Sequence, residues 1–269
     1  MSKYLATDLD GTLLEPKSVN KFVCNENLIA TEKFNKNVFI VSGRNPQFIE
    51  SVCDELNINH TFISCNGGMI FVNKKRIFTS FIENEILLEI IDYVKENHKN
   101  YHIIFIHQNG TLYSLYDNEK RVLEHEKKAM SAHPKLAYIT NKNTDELYSI
   151  LNANNSIVKM NLNIDETSKY AIFEYLKQKN YNISVSICNN SLEITYKGIN
   201  KGSSLKILTD YLNINPEDVY VIGDDGNDVW MFKEYSNSFL VKNSQNKHLL
   251  NIAKHDLDYF KDIVNYMEE

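Results

Sequence analysis

The sequence has no basic excess: 29 lysines and arginines stand against 35 aspartates and glutamates, a formal net charge of −6 over 269 residues. A nucleic-acid binder would carry a basic face, so nucleic acid is not an expected partner. An anionic substrate stays open, because a metal, a lysine and backbone N–H groups can hold phosphate locally on an acidic protein. Paired cysteines are missing too. Cys24, Cys53, Cys65 and Cys188 are scattered without a Cys-x-x-Cys spacing, which points to reduced thiols and not to a disulfide framework. No apolar run approaches a membrane span. The opening MSKYLATDLDG meets acidic residues before a secretory apolar stretch develops. The expectation is a cytoplasmic protein with no membrane partner. Repeats, low-complexity tracts and long linkers are also absent. What remains is 43% hydrophobic and 24% charged, enough for a sizeable core in one large or two modest domains.

Five short apolar runs stand out, and each ends in residues more informative than the run itself. Residues 4–7 lead into Asp8, 38–41 into Ser42-Gly43-Arg44, and 61–64 toward Asn66-Gly67-Gly68. Residues 219–222 lead into Gly223-Asp224, and 239–241 into Lys242-Asn243. Continuous β-rich runs suit strands buried on both faces of a parallel sheet. Helical patterns lie between them. Asn45-Pro46 reads as an N-cap and first helical residue ahead of Phe48, Ile49, Val52 and Leu56, and residues 203–212 carry a stripe of Leu205, Leu208 and Leu212. Alternating strands and helices imply a doubly wound sheet, whose ligands bind outside the carboxyl ends of the strands. The acidic, Gly and Ser residues fall there.

Residues 82–196 read differently. Helices are expected at 86–97, 119–130, 144–151 and 168–179, with strands at 103–106, 112–116, 158–164, 183–187 and 192–196. Asn109-Gly110 between the first two strands is a hairpin signal. The expectation is an α+β module, residues 82–196, inserted into a parallel-sheet domain made of 1–81 and 197–269.

Four constellations carry chemistry. In Asp8-Leu9-Asp10-Gly11-Thr12, residues two apart in extended chain point the same way, so two carboxylates would face one site, and Gly11 permits a sharp exit. Clustered carboxylates call for a cation, and an all-oxygen set suits Mg²⁺; a solvated acidic turn is the plainer alternative. Ser42-Gly43, between strand and helix, offers a hydroxyl and a helix N-terminus to a phosphate, though the same junction serves as ordinary capping. Lys201, opening a helix, gains interest only from its company. Gly223-Asp224-Asp225-Gly226-Asn227-Asp228 packs three carboxylates and an amide into one loop after a strand, which is costly without a metal. A helix–loop–helix Ca²⁺ site is excluded, since a strand precedes the loop and the closing Glu is missing. The histidines show no ligand spacing; His98 and His102 read as surface residues.

In order and spacing these pieces resemble the haloacid dehalogenase-like phosphatases: D-x-D-G-T at Asp8 to Thr12, Ser42 at a strand end, Lys201, and G-D-x-x-N-D at Gly223 to Asp228. The Ser-Gly-Arg form, the Asn66-Gly67-Gly68 turn and the long insertion are similar to the Cof-type subfamily, with an α/β cap inserted into a Rossmann-like core. The resemblance implies Asp8 as nucleophile and Asp10 as general acid and base. Mg²⁺ would be held by Asp8, the Asp10 backbone carbonyl, Asp224 and, through water or from behind, Asp228. Ser42, Gly43, Lys201 and Asn227 would hold the phosphoryl group, with Leu9 as a further contact; Asn66 and Gly67, at a strand end near the core–cap junction, are candidate substrate contacts by position. Asp225 adds charge beside Asp224, and the motif favours Asp224 as the metal ligand.

The implied reaction is hydrolysis of a small phosphorylated metabolite, a sugar phosphate first among them. A phosphomutase of the same superfamily is an alternative, but it would need basic cap residues, and Arg121 is the only arginine in 82–196. A non-catalytic metal-binding regulator is the other, although Asp8, Asp10, Lys201 and Asp224 are all in place.

Overall fold

The computed structural model describes residues 2–14, 23–119, 140–141, 144–188 and 191–267. The chain forms two compact units, one from Met1–Phe78 with Asn200–Glu269 and one from Thr79–Ile199. In chain order the strands are β1 (Tyr4–Thr7), β2 (Val38–Val41), β3 (Phe62–Ser64), β4 (Met69–Val72) and β5 (Lys75–Thr79). Then come β6 (His102–His107), β7 (Leu112–Tyr116), β8 (Thr140–Asn141), β9 (Ile157–Asn163), β10 (Ile183–Cys188) and β11 (Ser191–Tyr196). The last three are β12 (Val219–Gly223), β13 (Asn237–Val241) and β14 (His255–Leu257).

The first unit is an α/β layer structure on a sheet ordered β14-β13-β12-β1-β2-β3-β4-β5. From β14 through to β3 every pairing is parallel. β1 sits centrally, Thr7 opposite Ile222 on one side and Ile40 on the other. β1, β2 and β12 lack polar solvent faces because helices cover the sheet: Val41, Ile63 and Val221 join one core with Leu205, Leu208, Met231 and Phe232. The helix Pro46–Leu56 starts at its proline, buries Phe48, Ile49, Val52 and Leu56, and stops at Asn57 in left-handed conformation. Asn45 does not cap that helix with its side chain; its amide donates to Gln47 Oε1 at 3.1 Å instead. The parallel sheet gains an edge that the sequence does not announce, since β4 runs antiparallel to β3. The tight turn between them, with Cys65, Asn66 and Gly67 all at positive φ, reverses the chain without a crossover helix.

The second unit holds a sheet ordered β10-β11-β9-β6-β7-β8, antiparallel except where β7 meets β8. The Asn109-Gly110 hairpin joins β6 to β7, with Gly110 at φ 86°. Helices Asn84–Asn97, Thr144–Leu151 and Glu166–Gln178 place Ile90, Leu147 and Ile172 in one core with Phe105, Met160 and Ile194 of the sheet. Two charged side chains of β9 and β11 are also buried, and Lys159 donates to Glu193 Oε1 at 2.5 Å. His102, expected at the surface, is buried on β6 with Nε2 3.2 Å from Ser114 Oγ, because β6 lies between β9 and β7 and His102 is paired on both sides. The helix expected at 119–130, with Arg121, falls outside the described residues from 120 onward.

Candidate active site

Asp8 follows β1 directly, and its N–H still donates to Ile222 O of β12, so the central strand fixes its backbone. Its Oδ1 accepts from Lys201 Nζ at 2.6 Å, and the same Nζ donates to Asp228 Oδ1 at 2.6 Å. Lys201 is 1% exposed. It opens the helix Lys201–Tyr211, whose start is set by Asn200 and Ser203 in a reciprocal capping box. Asp228 is wholly buried, and its Oδ2 accepts the N–H groups of Asp224 and Asp225 at 2.9 and 3.0 Å. Gly223 makes that fold of the loop possible: a Cβ there would sit 2.3 Å from Asp228 Cγ.

Asp224, also buried, receives Thr12 Oγ1 on Oδ1 at 2.8 Å and Asn243 Nδ2 on Oδ2 at 3.2 Å, while its carbonyl accepts from Asn246 Nδ2 at 2.8 Å. Gly11, at φ 83°, leaves room for it, since a Cβ there would lie 2.4 Å from Asp224 Oδ2. Asp8, Asp224 and Asp228 each offer an oxygen such that all three lie within 4.8 Å of one another. Asp225 is half-buried and outside this trio, its Oδ1 accepting from the Gly226 N–H at 2.7 Å.

Asp10 lies near enough to Asp8 for its charge to add to the rise of the Asp8 carboxyl, and it has a partner that the sequence does not announce. Its oxygens are held in a fork by Arg44, Nε to Oδ2 at 2.7 Å and Nη2 to Oδ1 at 2.6 Å. The turn after Asp8, closed by the Leu14 N–H on Leu9 O at 2.8 Å, breaks the extended geometry that a two-residue spacing assumes. Leu9 itself points into the core and is fully buried, so only its backbone is available to a ligand. Ser42 is buried, and its Oγ accepts the Arg44 N–H at 3.3 Å; Gly43 follows, half-buried. Asn66, buried at φ 56°, donates its N–H to Ser42 O and accepts Asn227 Nδ2 on Oδ1 at 3.3 Å. The structure therefore gathers Asp8, Lys201, Asp224 and Asp228 by direct contacts, links Asn66 to Asn227, and ties Asp10 to the Ser42 segment through Arg44. The sequence alone assigns no role to Arg44, Thr12, Asn243 or Asn246; Thr12 closes the D-x-D-G-T motif, and the two asparagines lie only in a polar turn.

The electrostatics describe a site short of positive charge. With all groups ionised, three carboxylates face one ammonium among the described residues. Burial pushes the Asp8 carboxyl up to about 7 against the pull of Lys201, with Asp228 and Asp10 adding to the rise. Burial, then Asp8 and Asp228, push Asp224 up to about 9. For Lys201 burial acts downward, yet the carboxylates of Asp228 and Asp8 hold it above the ordinary lysine range. A compact all-oxygen donor set with unneutralised charge fits a hard divalent cation such as Mg²⁺. Asp8, Asp224 and Asp228 offer the oxygens that would hold it.

The sequence profile of the haloacid dehalogenase-like hydrolases matches residues 5–262. An uncharacterized protein of Mycoplasma capricolum is 29% identical, with 96% of this chain and 97% of that protein aligned. A 5-amino-6-(5-phospho-D-ribitylamino)uracil phosphatase of Bacillus subtilis is 25% identical over 90% of this chain and 88% of its own length. Among solved structures, a sugar phosphatase of haloacid dehalogenase subclass IIB superimposes with a TM-score of 0.79, covering 99% of both chains at 18% identity. A profile match across nearly the whole sequence, laid over a doubly wound sheet with its acidic cluster at the strand ends, places this chain in the haloacid dehalogenase-like hydrolase family.

Proposed function

We propose that this protein is a Mg²⁺-dependent phosphatase of small phosphomonoesters that works through an aspartyl-phosphate on Asp8. The observation that carries the reading is Lys201, buried between Asp8 and Asp228 at 2.6 Å from each, with Asp224 beside them. An Asp8 oxygen attacks phosphorus, and the bond from phosphorus to the ester oxygen breaks. Asp10, on the half-exposed side of the turn, leaves the Arg44 fork and takes a proton from solvent, gives it to the leaving oxygen and then takes one from the water that attacks phosphorus in turn. Inorganic phosphate leaves and Asp8 is restored. Lys201 balances charge on Asp8 throughout, while Ser42, Gly43, Asn66 and Asn227 contact the phosphoryl group and the substrate. When bound, Mg²⁺ neutralises the approaching phosphate and orients it. Phosphoryl transfer asks for little beyond such positioning and charge stabilisation.

The preferred leaving group is a polyhydroxylated carbon chain, a sugar or sugar alcohol. Supporting this, the Bacillus relative is named for a phosphoribityl compound and the structural neighbour for sugar phosphates. The unit Thr79–Ile199 is the inserted cap in this reading, selecting what lies beyond the phosphate. The test is phosphate release from a panel of pentose, hexose, polyol and nucleotide phosphates with Mg²⁺ or with chelator, for wild type and Asp8→Asn. Metal-dependent release from sugar and polyol phosphates, abolished in Asp8→Asn, is expected. Release that survives Asp8→Asn would refute the covalent mechanism.

A further inference from the structure

We infer that Asn243 is a positioning residue for the Asp224 carboxylate, fixing its direction toward the divalent cation; this rests on the metal-dependent reading above. Asp224 leaves the end of β12, which lies between β1 and β13 in the sheet. Thr12, from the segment after β1, holds Oδ1 at 2.8 Å, and Asn243, from the segment after β13, holds Oδ2 at 3.2 Å. The carboxylate is thus stopped from turning on both sides by donors that arrive from opposite neighbours.

Asn243 is held in turn. Its Oδ1 accepts the N–H groups of Gln245 and Asn246 at 2.8 and 3.0 Å, an Asx-type turn that leaves Nδ2 aimed at Asp224. Asn246, wholly buried, anchors the same loop: its Oδ1 takes the Asn243 N–H, and its Nδ2 bridges Val241 O and Asp224 O at 2.8 Å each. One loop therefore fixes both the backbone and the side chain of Asp224. A carboxylate oxygen that accepts one such bond keeps lone-pair capacity for a cation. A neutral amide adds no charge to compete with it. Outer partners of this kind orient metal ligands, and their removal typically costs about 10- to 100-fold in metal affinity or activity.

The test separates direction from loop structure with two variants of the full chain. Asn243→Ala removes both the turn acceptor and the donor to Asp224. Asn243→Ser keeps an acceptor for the turn and loses the reach to Asp224. Because Asn243 is exposed, both should fold, with metal-free melting temperatures within about 2 °C of wild type. Calorimetric titration of the metal-free protein with Mg²⁺ should show affinity about 10-fold weaker in both. In turnover, half-saturation by Mg²⁺ should move upward alike, with the ester KM unchanged and kcat recovered at high Mg²⁺. Wild-type Mg²⁺ affinity in Asn243→Ser, or in both variants, overturns the inference. A wild-type chain that binds no Mg²⁺ overturns the metal reading and the inference together, and it is recognised by being seen before any substitution is made.

Discussion

Replacing Lys201 with methionine keeps most of the length and the apolar stem of the side chain and removes its ammonium group. In the folded protein that charge sits 2.6 Å from two buried carboxylates, Asp8 and Asp228. Removing one partner of a buried ionic group costs about 3–5 kcal/mol, because the remaining charges are left uncompensated. The cost depends on pH in a direction fixed by Asp8. Its folded carboxyl is raised to about 7 from an ordinary value of 3.8, so between those values the folded state binds more protons than the unfolded one. Stability then falls as pH rises through that window. Asp224, raised to about 9, extends the fall upward. Without Lys201 the downward pull on Asp8 is gone and the window moves higher still. Near pH 5 Asp8 and Asp224 are largely protonated and the substitution is mild; the cost grows as the pH rises toward 8. At about 2–4 °C per kcal/mol, the loss at pH 8 is roughly 6–20 °C in melting temperature. Thermal melts of chelator-treated wild type and Lys201→Met at both pH values provide the measurement. A difference below about 2 °C at pH 8, or one equal at the two pH values, would show that the Lys201 pair does not bear the charge balance described.

Two further substitutions probe other parts of the site. Asp10→Asn should cost about 10²–10⁴-fold in turnover of alkyl phosphates, with a burst of leaving group from aryl phosphates and slow turnover after it. Stability should move by at most about 1 kcal/mol, because the Arg44–Asp10 pair is partly exposed; wild-type rates on both ester classes would remove Asp10 as acid and base. Gly223→Ala puts a methyl 2.3 Å from Asp228 Cγ and should destabilise the protein by about 1–3 kcal/mol in urea unfolding while weakening Mg²⁺ binding. Unchanged unfolding would mean that the loop has slack where the structure has none.

The parts of the molecule legible in the sequence are those where chemistry and local geometry coincide. β1, β2 and β12 announce themselves because a strand buried on both faces needs an unbroken apolar run, and the polar residue that ends the run marks the strand end. Lys201 can be paired with Asp8 only through resemblance, since nothing local reports a contact across 193 residues. The opposite fate befalls Asn243 and Asn246. Their run, Lys-Asn-Ser-Gln-Asn, reads as turn chemistry, and it is a turn; that its spare amide groups reach Asp224 depends on which strands are neighbours. Asp10 lies just past the end of β1, and its partner Arg44 stands 34 residues further on, which nothing local in the sequence reports. His102 reads as exposed for want of a partner in sequence, yet β7 supplies Ser114 from across the hairpin.

The first unit is built from both sides of an uninterrupted insert, and this has a consequence in time. Asp8 leaves the ribosome 193 residues ahead of Lys201, a delay of about 10–40 s at about 5–20 residues per second. During that interval β1 lacks β12, one of its two sheet neighbours, while Thr79–Ile199 is contiguous and complete before Lys201 is made. The acidic cluster is consequently a late product of synthesis. Three carboxylates are brought into one buried place only after the lysine that balances them is already in the chain.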